Sequence, residues 1–168
     1  MKGYLALAII VVVVGLPVSA ATPEKAVPWE LLAGGVGSAI GWAGGFFAGR
    51  ALAAGLGVES QPDQKDLVTL ASVAIAVTAG TSLAVIGVGY WLGVDGNGLA
   101  CVGGTLLGIL GGMVVEPLLG GLLRVLLPEG SPSLEAVGRV VEGIGFACMV
   151  LVPAIGAPVG FNIGPAER

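Results

Sequence analysis

The chain has 168 residues, 55% hydrophobic and 11% charged, with a mean hydropathy of +0.99. Its net charge of −4, without a basic run, argues against a nucleic-acid-binding surface, and its apolar content argues against a disordered chain. Histidine is absent, which removes His-based triads and dyads and the commonest metal ligand.

The first twenty residues form a unit of their own. Lys2 supplies a positive end, Leu5 to Leu16 an apolar run, and Val18-Ser19-Ala20 a small-residue cleavage pattern. Residues 1–20 therefore read as a secretory signal peptide cut before Ala21, with an uncleaved signal anchor as the alternative. No cysteine follows the run, so a lipoprotein anchor has no attachment point. Residues 21–28, with Pro23 and Pro28, read as a short polar lead, and 29–168 as a single membrane domain.

Beyond the lead, four windows carry no charged residue: 31–49, 67–94, 96–115 and 143–166. About 20 apolar residues cross a bilayer as a helix, so each window is long enough to span. The first helix is expected from Trp29 to Gly57, followed by the loop "VESQPDQKD" (58–66) and a second helix ending near Val94. "DGNG" (95–98) is a turn; it lacks the further acidic ligands that a calcium loop would need. The third helix runs from about Leu99 to Leu127, where "PEGSPS" (128–133) breaks it. Ser131 and Pro132 suit an N-cap and first helical position, and Pro153 and Pro158 are expected to kink the fourth helix. The fold class is all-α: a four-helix transmembrane bundle of two helical hairpins, about 29–94 and 99–164.

A cleaved signal places Ala21 outside, and four spans return Arg168 outside. Lys65, Arg124 and Arg139 then fall inside, with Arg50 at the inner end of the first helix and only Lys25 and Arg168 outside. That is a modest positive-inside bias, and Trp29, Tyr90 and Trp91 gather at the outer interface as an aromatic belt would. Cys101 and Cys148 match no metal or redox spacing; at different depths on this topology they suit buried small hydrophobes better than a disulfide.

Small residues recur every fourth position. The rows are Ala33, Gly37, Gly41, Gly45, Gly49, Ala53 and Gly57 in the first helix and Ser72, Ala76, Gly80 and Ala84 in the second. The third helix carries Ala100, Gly104, Gly108 and Gly112, and the fourth ends with Gly156, Gly160 and Gly164. Helices in lipid associate by close packing and polar contacts, so these rows read as helix-packing faces. A shift of 67 residues lays the row from Ala33 to Gly45 on that from Ala100 to Gly112, and Gly89 and Gly93 on Gly156 and Gly160. This suggests two tandem hairpins.

Glu116, followed by Pro117, breaks the third row. With Arg50, Arg124, Arg139 and Glu142 it makes a candidate polar cluster near the inner end. Glu116 lies about 27 Å along its helix at 1.5 Å per residue, which favours interfacial ion pairing over a place on a conduction path.

The ending "PAIGAPVGFNIG" (153–164), after a signal peptide and glycine-striped helices, resembles that of a group of small glycine-zipper membrane proteins of the bacterial envelope. The resemblance implies a location, the inner membrane after Sec-type export, and no activity. No phosphate loop occurs and the GxG strings lack a strand–turn–helix setting, so no cofactor and no enzyme is expected. The expected role is structural or in assembly, with the lipid bilayer, further copies of the chain or another membrane protein as partners. The alternatives are a channel, carrier or holin-like oligomer with Glu116 near the path, and an accessory subunit docking a larger membrane protein.

Overall fold

A computed structural model describes residues 23–126 and 132–163; the signal segment, Ser131, Gly164 and Arg168 lie outside the described residues. Among the described residues there are four helices: α1 (Pro23–Gly55), α2 (Pro62–Trp91), α3 (Gly98–Leu126) and α4 (Pro132–Phe161). Each contains a segment long and apolar enough to cross a membrane: Lys25–Gly55, Pro62–Trp91, Gly98–Leu122 and Val137–Phe161.

Two chain reversals use the same tripeptide. Leu56-Gly57-Val58 ends α1 and Leu92-Gly93-Val94 ends α2, with the glycines at φ of 70° and 74°. In each the glycine N–H donates three residues back, to Ala54 and Tyr90, and the valine N–H five back, to Ala53 and Gly89. This doubly bonded termination satisfies carbonyls that a helix end leaves open, and its left-handed residue favours glycine.

Two boundaries differ from the sequence reading. The lead 21–28 is helical from Pro23, because proline at a helix start has no N–H to lose, and Pro28 is carried inside the second turn. The loop 58–66 is shorter than expected because Pro62 opens α2, with Asp63 in the positively polarised first turn. α4 remains helical through Pro153 and Pro158. Within "DGNG", Asn97 caps α3: its Oδ1 accepts the Ala100 N–H at 3.0 Å.

The helices form a flattened bundle. α1 packs along α2, α3 along α4, and the hairpins meet chiefly through α1 and α4, with smaller α2–α3 and α2–α4 contacts; α1 and α3 stay apart. Trp42 bridges the hairpins, stacked on Phe46 at 5.7 Å and edge-on to Phe146 at 4.7 Å between centroids. The exterior is apolar on all sides: Leu99 is 84% exposed, Phe47 72%, and Ile75 and Leu107 71% each. Helices hydrophobic all round, with such residues outward, suit lipid rather than water.

Two glycine seams and a buried polar lock

Each hairpin is held by a seam where backbones touch. A Cβ placed on Gly37 would collide with the Gly80 carbonyl, and one on Gly80 would lie 2.7 Å from the Gly37 carbonyl. Further along, a Cβ on Gly41 would collide with the Ala76 and Val77 backbone, and one on Gly45 or Gly49 would fall 2.6 Å from the Cα of Val73 or Thr69. In the second hairpin Gly104 and Gly156 oppose each other, a Cβ on Gly108 would fall 2.6 Å from the Pro153 Cα and one on Gly112 3.1 Å from Cys148 and Met149 backbone atoms, and Gly160 faces Ala100. Of the twelve glycines in the four rows, ten lie against another helix of the same chain, whereas Gly57 has open space where a Cβ would go and Gly164 lies outside the described residues.

The 67-residue offset holds for the seams of α1 and α3 but not for their partners. Gly37 meets Gly80, whereas the residue 67 positions before Gly156 is Gly89, and Gly89 packs on Phe161. The two hairpins thus share one packing device in different registers.

The end of the bundle where α1 begins and α4 finishes holds an ionisable side chain away from solvent. Glu30 is 0% exposed. Asn162 Nδ2 donates to Glu30 Oε2 at 2.6 Å and to the Pro158 carbonyl at 2.8 Å, while Glu30 Oε1 has no hydrogen-bond partner. Phe161, fully buried, fills the space left by Gly89 and Gly96 and meets Tyr90 edge-on at 6.0 Å. The Phe161 carbonyl accepts the Asn97 N–H at 2.8 Å. Gly-Phe-Asn at 160–162 therefore ties α4 to α1, to α2 and to the α2–α3 link. Around it lies a core of Ala26, Val85, Leu92, Val94, Cys101 and Ala157.

Nearer mid-bundle, hydroxyls line the interior. Thr105 Oγ1 donates to the Cys101 carbonyl (2.9 Å) and lies 3.0 Å from Ser82 Oγ, so the proton shared by the two hydroxyls comes from Ser82. Ser38 and Thr81, each 0% exposed, have hydroxyl oxygens without a partner. Cys101 is buried and Cys148 half-buried, and both are free thiols.

Comparison with protein-family models, curated proteins and solved structures finds no match.

Three side chains of the candidate polar cluster, Arg50, Arg139 and Glu142, are among the described residues. Arg50 lies over the Phe46 ring, 5.5 Å from its centroid, while Arg139 and Glu142 are exposed, and no ion pair joins these three. Glu116 and Arg124 fall within α3, but their side chains lie outside the described set. Trp29, Tyr90 and Trp91 are all exposed. The lock at Glu30 is absent from the sequence-based candidate set. Its signals were Glu30 as the edge of the first charge-free window and the Phe-Asn pair in the ending.

Proposed function

We propose that this protein is a structural or assembly component of a bacterial envelope membrane, exported by a Sec-type signal with both termini outside. The observation that carries this reading is the pair of glycine seams. Backbone contact along both hairpins gives a stiff scaffold with exposed aliphatic side chains on its outer faces. Those faces meet lipid, further copies of the chain, or a larger membrane protein.

A second reading, a channel or carrier, draws support from the interior oxygens of Glu30, Ser38, Thr81, Ser82 and Thr105, since polar groups inside membrane bundles commonly mark solute paths. Flux of ions and dye through liposomes holding the purified protein separates the two, with Glu116→Gln alongside. The structural reading expects the same leakage from protein-bearing and empty liposomes. Flux abolished by Glu116→Gln in a variant that still folds would overturn it in favour of transport.

A further inference from the structure

Between the hairpins, toward the loop end, lies a cleft of ≈200 Å³. Its wall is formed by Trp42 and Phe46 of α1, Leu70 and Val73 of α2, and Met113 and Met149 of α3 and α4, with Asp66 also in the lining at the end near the α1–α2 loop. We propose that this cleft holds one acyl chain of a phospholipid drawn from the surrounding bilayer, with an amine-bearing headgroup at its mouth.

Length and charge both point to that occupant. The α2 lining runs from Asp66 to Val77. Eleven helical steps cover about 16 Å at 1.5 Å per residue. One leaflet is half of a hydrocarbon core about 30 Å thick, or about 15 Å. The apolar wall is thus as deep as one leaflet, and Asp66 sits where the headgroup layer begins.

The seam sets the lateral arrangement. Because Gly49 packs on Thr69, Arg50 and Asp66 lie near the same level on adjacent helices, and no salt bridge joins them. Arg50 is positioned over Phe46, itself part of the wall. A cation and an anion at one mouth, left unpaired with each other, complement the phosphate and ammonium of a phosphatidylethanolamine-type headgroup. An anionic lipid would gain from Arg50 and be repelled by Asp66, and a choline headgroup offers Asp66 no hydrogen-bond donor.

The test is native mass spectrometry of the protein after exchange with mixed ethanolamine, glycerol and choline phospholipids. One ethanolamine lipid should remain bound to each chain. Met113→Trp, which fills the cleft, should remove it, whereas Ile40→Trp, on the exposed side of α1, should not. Asp66→Asn should lower the preference for ethanolamine over glycerol headgroups roughly two- to fivefold, the worth of one exposed charge contact. Helical content and detergent melting keep a misfolded Met113→Trp from being read as support; if it misfolds, Leu70→Trp takes its place. Retention equal in wild type and a folded cleft-filling variant, no headgroup preference, or a dimer mass in place of the lipid adduct would each overturn the proposal.

Discussion

Glu30 is the residue on which the terminal end of the bundle turns. A carboxyl group in an apolar core is costly unless hydrogen-bonded, and Asn162 is the partner that meets it. Asn162→Leu leaves that oxygen without its donor and should lower unfolding stability in detergent by about 1–3 kcal/mol, the cost of a buried polar group left unsatisfied. Glu30→Leu combined with Asn162→Leu should lose less than the two single changes summed, because an apolar pair leaves nothing unsatisfied. Chemical denaturation of the four proteins reads the coupling, and simple additivity would mean that the contact is incidental. The sequence carried part of this site. The ending "PAIGAPVGFNIG" held Phe161 and Asn162, but Glu30 was not singled out, and the first helix was expected to begin at Trp29. Helix from Pro23 places Glu30 two turns inside α1, which proline chemistry permits and helix-start signals did not reveal.

At the scale of the element, periodicity was legible and register was not. The four-residue spacing of Gly37, Gly41, Gly45 and Gly49 can be seen in the sequence, and these residues share the face turned to α2. Which residue opposes each depends on the loop between the arms, and the helices themselves took part of the segment assigned to the first loop. That is why a 67-residue shift aligns α1 with α3 yet misplaces the second arms. The Leu-Gly-Val endings are a signal that sequence inspection could have used, since the repeated tripeptide closes two helices in one conformation. Gly57 and Gly93 have open space where a Cβ would go, so replacing them probes backbone conformation alone. Gly57→Ala and Gly93→Ala should each destabilise by about 1–2 kcal/mol, the penalty of a left-handed residue with a side chain. A detergent melt unchanged in both would contradict the assigned terminations.

For the whole molecule, the charge-free windows decided the architecture, and four helices long enough to span the membrane follow from them. The order of contacts, with α1 and α3 apart and the hairpins joined through α1 and α4, was not legible. All four helices are apolar on every face, so hydrophobic patterning cannot say which face turns inward. Steric fit decides it instead, through glycine where backbones touch and Phe161 where Gly89 and Gly96 leave room. The central claim, that glycine contact holds the hairpins together, is tested most directly by one substitution made at two neighbouring positions. Gly45 lies against the Val73 backbone, while a Cβ on Gly44 would meet nothing within 4 Å. Gly45→Leu and Gly44→Leu should be compared by reversible unfolding in detergent. Gly45→Leu is expected to destabilise by about 1–3 kcal/mol through overpacking, with Gly44→Leu close to the unaltered protein. Equal stability of the two variants would contradict the account.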